Sequence, residues 1–291
     1  MARYNYDLPS DLIENVRSKG PMVIATLNEK GGVGKTTLTF QICVHLAEAG
    51  LKILAVDLDP QGNLTKTTLR YGELQHDRVF SDVDIDRANS MTIFSNANER
   101  VKPLAVSDHL ALNTGNTNLV ALMGIQHDLL LELDEYLARQ TDFDIMIIDC
   151  PPTPGNHVTA AAMAADFVLS PANADEYSSD AVKNVVKTIA RFKRKYNPGL
   201  NLLGVILNDV DHSSKIKKDY VELMRGEGAE PDEFYFSIRD KIFETRLGKR
   251  VAFQEAQTVG MPITRYQRGN AADEMYNFLL ELVTRLSKEE A

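Results

Sequence analysis

Five short apolar runs punctuate this chain. They are Met22-Val23-Ile24-Ala25-Thr26-Leu27, Ile53-Leu54-Ala55-Val56-Asp57, Asp144-Ile145-Met146-Ile147-Ile148-Asp149, Phe167-Val168-Leu169-Ser170 and Leu202-Leu203-Gly204-Val205-Ile206-Leu207. None alternates apolar with polar residues, as a strand with one wet face would. Continuous runs of this length suit parallel strands covered on both faces. Between them the period lengthens to that of a helix. Thr36 to Ala49 predicts a helix stopped by Gly50, and further helices are expected over 118–139, 178–195, Lys215 to Arg225 and Asn270 to Ser287.

The remaining stretches are less regular. Pro9-Ser10-Asp11 can open a helix through Arg17 that Gly20-Pro21 ends, making residues 1–20 a short leader. Within 71–117, Asp82 to Asp86 alternates, and Met91-Thr92-Ile93-Phe94 and Leu110-Ala111-Leu112 are strand candidates. Phe234-Tyr235-Phe236 is a candidate last strand. Strands alternating with helices over 21–291 predict a single doubly wound α/β domain: a mostly parallel sheet with helices on both faces.

Composition adds exclusions. Of the 291 residues, 44% are apolar and 25% charged, ordinary values for a globular protein with a full core. Two distant cysteines, Cys43 and Cys150, predict reduced thiols and no disulfide. No run approaches the roughly 18 apolar residues of a membrane span, and Met1 to Ser10 lacks a signal-peptide pattern. A cytoplasmic location is the expectation. The net charge of −9 is uneven: residues 1–180 carry −12 and residues 181–291 carry +3. The C-terminal third can therefore present a basic face on an acidic protein.

The chemistry concentrates after the first strand, in Lys30-Gly31-Gly32-Val33-Gly34-Lys35-Thr36-Thr37. A glycine-rich loop between a buried strand and a helix turns backbone N–H groups toward phosphates, and the helix N-terminus adds its positive end. Lys35 reaches the β- and γ-phosphates in such a loop, and Thr36 ligates Mg²⁺. The pattern G-x-x-x-x-G-K-[ST] is not met, because Glu29 stands where it requires glycine, and Lys30 is an extra lysine. Asp149 closes an apolar strand where a metal-holding aspartate belongs, and Asp57 and Asp59 close another. Either of the last two could orient an attacking water.

Lys30–Thr37, Val56-Asp57-Leu58-Asp59-Pro60-Gln61-Gly62-Asn63 and Ile148-Asp149-Cys150-Pro151-Pro152 stand in order along the chain. Together they resemble the ParA/Soj partition ATPases of the ParA/MinD group, the Pro-Gln-Gly-Asn segment most specifically. The resemblance implies a slow ATPase that uses ATP and Mg²⁺, the metal held through Thr36, Asp59 and Asp149. Lys30 would cross to a partner subunit's phosphates, so ATP would close a homodimer. Asp59 and Asp149 match the two switch aspartates. Asn208 matches a position that recognises adenine, and Ser237-Ile238-Arg239-Asp240 a segment packed over the base, with Arg239 in contact. Partners implied are non-specific double-stranded DNA on the nucleoid and a centromere-binding ParB-like protein that stimulates hydrolysis. Lys193, Lys217, Arg239, Lys241, Arg246 and Arg250 are the DNA-contact candidates, with Arg239 and Arg246 expected in one loop region.

Three alternatives stand beside this. A MinD-like membrane switch needs a basic amphipathic tail, whereas Met275, Phe278, Leu279, Leu282, Val283 and Leu286 fall at core spacing. A positioning ATPase for a cargo other than DNA would share every motif. A redox relative needs thiolate ligands, and Cys43 lies inside the expected loop helix.

Overall fold

A computed structural model describes residues 6–95, 101–173, 176–210, 215–225 and 233–289. Eight strands form one sheet: β1 Met22–Thr26, β2 Ile53–Asp57, β3 Leu104–Ala105, β4 Leu110–Asn113, β5 Ile145–Asp149, β6 Phe167–Asn173, β7 Asn201–Val210 and β8 Ile242–Gly248. Their order is β3-β4-β2-β5-β1-β6-β7-β8. Every neighbouring pair is parallel except the two-residue edge strand β3 against β4.

The helices, in chain order, are α1 Ser10–Ser18, α2 Lys35–Glu48, α3 Asn63–His76, α4 Asp82–Arg87, α5 Ser90–Ile93, α6 Glu132–Ala138 and α7 Asn156–Ala164. Then come α8 Glu176–Lys195, α9 Lys215–Met224, α10 Glu233–Ser237, α11 Val251–Thr258, α12 Ile263–Tyr266 and α13 Asn270–Leu286. The continuous apolar runs are explained by a core on each side. Met22 and Ile24 of β1, Ile53 and Ala55 of β2, and Ile145 and Ile147 of β5 pack with α2 and α13. The intervening Val23, Ala25, Leu54, Val56, Met146 and Ile148 pack with α6, α7 and α8 on the other face. This is the doubly wound architecture that the pattern predicts. All six apolar residues read in the terminal helix are buried in α13, each contributing about 1.5–3 kcal/mol.

Several local expectations are corrected. Asp82–Arg87 is helical: the Ser81 side chain accepts from the Asp84 N–H, and acids fill the first turn, which the helix dipole favours. Met91 to Ile93 belongs to α5, capped by Asn89, and is not a strand. Residues 118–139 are not one helix. Thr117–Gly124 and His127–Leu131 are 3-10 turns, and only Glu132–Ala138 is α-helical. Phe234-Tyr235-Phe236 lies in helix α10, and the last strand is Ile242–Gly248 instead. Glu244 and Arg246 interrupt its apolar pattern, which an edge strand tolerates.

Candidate functional site

Parallel strands all deliver their carboxyl ends to one edge, and the register there is tight. Thr26 of β1 and Asp57 of β2 both align with Asp149 of β5. The glycine-rich loop leaves β1 at this edge and enters α2. Asn28 sets its start: its Oδ1 accepts from the Lys30 N–H at 2.8 Å, and its Nδ2 donates to the Pro171 carbonyl at 2.8 Å. Lys35 is buried and donates to the carbonyls of Asn28 at 2.9 Å and Lys30 at 3.2 Å. Burial pushes the Lys35 pKa down, and the carboxylate of Asp149 opposes that most strongly.

Thr36 donates to Asp149 Oδ2 at 2.7 Å. Asp149 is buried, and burial followed by the neighbouring Asp57 carboxylate raises its pKa above the ordinary range. A hydroxyl and a crowded carboxylate are hard oxygen donors that suit Mg²⁺. Among the described residues no cluster of three or more His, Cys, Asp or Glu could hold a metal. The pair therefore fits an ion that brings phosphate and water ligands of its own.

The geometry separates Asp57 from Asp59. Asp57 is wholly buried and its carboxylate accepts from Asp59 N–H at 3.0 Å, Thr65 N–H at 2.9 Å and the Thr65 hydroxyl at 2.7 Å. It anchors the first turn of α3, shut away from solvent. Asp59 instead lines an open cleft of about 500 Å³ together with Gly32, Gly34, Lys35, Thr36 and Thr37. Its own carboxylate caps the turn, accepting from the Gln61 N–H at 2.9 Å. Asp59 and the phosphate loop thus face one space.

On the other side of the loop, Asn208 near the end of β7 donates to the Val33 carbonyl at 2.8 Å. It packs so close that a Cβ on Gly34 would lie 2.3 Å from its Nδ2. A second recess opens here, lined by Asn208, Leu247, Gly248, Arg250 and Phe253 together with Gly32 and Gly34. Residues that face Asn208 therefore come from the end of β8 and the segment after it. Arg239, expected over the base, precedes β8 on the 3-10 turn Arg239–Lys241. Asn208 falls between β7 residues Leu207 and Val210, which pair with Arg246 and Gly248. Since β8 runs parallel to β7, Arg239 sits at the opposite end of the strand, its guanidinium 4.4 Å from the Phe236 ring centroid.

The six DNA candidates are also split. Lys193, in the last turn of α8, donates to Asn201 Oδ1 at 2.6 Å, at the start of β7. With Arg239 and Lys241 it marks the amino edge of the sheet. Arg246 lies within β8 and not in a loop, and Arg250, at the start of α11, is tied to Glu274 at 2.8 Å. Both belong toward the carboxyl edge. The Lys217 side chain, like Asp175, lies outside the described residues.

Several site residues carried no sequence signal. Thr39, one turn after Thr36, reaches Asp149 Oδ1 at 3.5 Å. His157 at the start of α7 lines the cleft and donates from Nε2 to the Leu119 carbonyl at 2.8 Å. Gln257 of α11 accepts from the Thr37 hydroxyl at 2.6 Å. Cys43 and Cys150 are buried free thiols, both pushed up in pKa by that burial. Among the described residues no helix is long and apolar enough to cross a membrane.

Comparison with known proteins places this edge in context. A family model described as an AAA domain matches residues 21–202. The chromosome-partitioning ATPase Soj of Treponema pallidum is 29% identical over 262 residues, covering 89% of this chain and 96% of that protein. The ATP complex of a Cyanothece McdA variant superposes with a TM-score of 0.72 at 19% identity, over 91% of this chain and 97% of the other. Cobyrinic acid a,c-diamide synthase from Mycobacterium smegmatis, solved with an ATP analogue and magnesium, gives 0.59 at 25% identity, over 82% and 93%. A deviant phosphate loop, a metal-suited Thr36–Asp149 pair, a cleft-facing Asp59 and this matched span agree: the chain belongs to the AAA-domain family, as a ParA/Soj-type ATPase of the ParA/MinD superfamily.

Proposed function

We propose that this protein is an ATP- and Mg²⁺-dependent dimerising switch. It binds double-stranded DNA without sequence preference and segregates plasmid or chromosomal DNA with a ParB-like, centromere-binding partner. The observation that carries the reading is the division of labour at the sheet edge. Asp57 is spent on anchoring α3, while Asp59 faces the cleft shared with Lys35, Thr36 and Thr37. The partition ATPase relative and the ATP- and magnesium-bound neighbours support the choice of ligand.

In this reading the loop's backbone N–H groups cradle the phosphates of ATP, and Asn208 with its recess takes the base. Lys35 exchanges its carbonyl partners for phosphate oxygens. Thr36, Asp59 and Asp149 would hold Mg²⁺ there. Bound Mg²⁺ would neutralise charge that develops on the transferred phosphoryl group. Asp59 orients the attacking water. Lys30 reaches the partner subunit's phosphates, so both subunits grip the γ-phosphate and its loss loosens the dimer.

The proposed DNA contacts remain Lys193, Lys217, Arg239, Lys241, Arg246 and Arg250, with the amino-edge trio Lys193, Arg239 and Lys241 as the nearest to one patch. They are phosphate contacts, and a dimer doubles them. Duplex-DNA retention measured with ATP and with ADP, across a salt series, tests the whole reading. Retention with ATP at low salt is expected, with the log–log salt slope reduced by about one in Lys193→Ala or Lys241→Ala. Retention by liposomes in place of DNA would overturn it. Lys30→Ala is expected to stay monomeric in ATP by light scattering, and wild-type dimerisation there would remove the crossing-lysine role.

A further inference from the structure

Helix α11 touches three parts of the site that the chain supplies far apart. Its start lines the recess beside Asn208, through Phe253 and Gln254. Its last turn meets the phosphate loop, where Gln257 Oε1 accepts from the Thr37 hydroxyl at 2.6 Å. The same amide turns its Nε2 toward Thr67 Oγ1 of α3, at 3.5 Å. The Arg70 guanidinium, one turn further along α3, donates to the Thr258 carbonyl at the end of α11.

Helix α3 is in turn fastened to the Asp59 segment. Gly62 N–H donates to the Asp59 carbonyl at 2.9 Å, and Thr65 is held by the Asp57 carboxylate through both its N–H and its hydroxyl. A side chain that bridges Thr37 and Thr67 therefore spans the phosphate loop and the helix that follows the Asp59 segment. An amide is the group suited to this place, because one end accepts from Thr37 and the other donates to Thr67. The two helices also meet directly further along, where the Tyr71 hydroxyl donates to Glu48 at 3.2 Å and its ring lies 6.2 Å from that of Phe40, so the bridge ties the end of their interface nearest the phosphate loop.

We propose that Gln257 is a positioning residue for the ATPase reaction. It holds α3, and with it Asp59, in register with the phosphate loop. The inference rests on the ATPase reading given above. It predicts that weakening the bridge lowers turnover more than it lowers ATP affinity, since the bridge bears on Asp59 and the loop's backbone donors are untouched.

The test uses the full-length protein and two single variants, Gln257→Met and Thr67→Val, with their double. Steady-state kcat and KM for ATP are measured alongside thermal melting. Each single variant is expected to lose about three- to tenfold in kcat, the size of one buried hydrogen bond, with KM changed less than about threefold. The double variant is expected to match the worse single, because both changes break one link. Gln257→Glu, which keeps an acceptor for Thr37, is expected to recover part of the loss. Unchanged kcat in Gln257→Met, or losses that multiply in the double variant, would overturn the proposal. A kcat loss that follows the drop in melting temperature across all variants would also overturn it, as plain destabilisation. A wild-type chain that neither binds nor hydrolyses ATP would instead remove the ATPase reading itself, and this inference with it.

Discussion

Gly62, in the segment between Asp59 and α3, offers a sharp quantitative test. Its φ is +61°, in the left-handed region, and a Cβ there would lie 2.6 Å from the Gly115 carbonyl oxygen and 3.4 Å from its carbon. Both obstacles are main chain. Gly115 cannot retreat easily, since its N–H is held by Thr65 Oγ1 at 2.7 Å and it packs on Asp57. Alanine at 62 therefore adds about 1–2 kcal/mol of backbone strain and about 1–3 kcal/mol for the displaced contact. The expected loss is about 2–5 kcal/mol, or a melting temperature lower by about 4–10 °C at roughly 2 °C per kcal/mol. Urea unfolding of the nucleotide-free protein measures it as a shifted midpoint at constant slope. Gly124→Ala, where a Cβ meets nothing within 4 Å, is the control and should stay within about 0.5 kcal/mol. Turnover should fall further than stability alone accounts for, because the Asp59 turn moves with Gly62 and a shift of about 1 Å can cost about a hundredfold. A Gly62→Ala protein within about 0.5 kcal/mol of wild type would refute the steric reasoning.

The two aspartates should part company on mutation. Asp57→Ala leaves the N–H groups of Asp59 and Thr65 without their partner and is expected to cost about 2–4 kcal/mol in a denaturant melt; Asp59→Ala should cost under about 1 kcal/mol yet abolish hydrolysis and accumulate an ATP-bound dimer by light scattering. Acid should destabilise through His45, which burial pushes from 6.5 down to about 4. Its folded form binds fewer protons than the unfolded chain in that window, so about 3 kcal/mol is lost as the pH falls through it, and calorimetry across pH 7 to 4 reads this directly. Asp149 works in the opposite sense. Its raised pKa makes the folded form hold the proton longer, so stability present below the ordinary carboxylate range is lost as pH rises through the raised value. Asp149→Asn should flatten that limb in metal-free protein, and an unchanged profile would show that the carboxyl group is not strained by its burial.

The parallel core was readable because both faces of those strands are covered. Burial on two sides leaves no room for polar residues, so Ile53 to Val56 and Ile145 to Ile148 announce themselves. The edge strand β8 needs only one dry face, and Glu244 and Arg246 hide it. Phe234 to Phe236 looks like a strand by its aromatic content, but its backbone is used as the short helix α10. The phosphate loop was readable because its chemistry is local, with Gly, Lys and Thr adjacent in the chain. By spacing alone Asp57 and Asp59 were equivalent, and only the family resemblance singled out Asp59. The three donors converging on Asp57, two of them from Thr65, mark it as an anchor, which no spacing rule shows. Gln257 and Thr37 are 220 residues apart, and no spacing rule joins them. Arg239 falls away from Asn208 for a topological reason: a loop before a parallel strand opens on the edge opposite to the one that carries Asn208.

The central position of β1 also has a consequence for biogenesis. Its partners are β5 and β6, so Met22 waits for Ile145 and Ile24 for Phe167. A ribosome must add more than a hundred residues after the phosphate loop before that loop gains a fixed wall. Pairings so distant in sequence make slow folding and prolonged exposure of apolar strands the expected behaviour. Nucleotide can stabilise the finished protein by mass action, but it cannot template the nascent chain, because Thr36 meets Asp149 only after β5 has been made. Chaperone capture during synthesis is thus expected to depend on chain length, ending soon after β6 emerges.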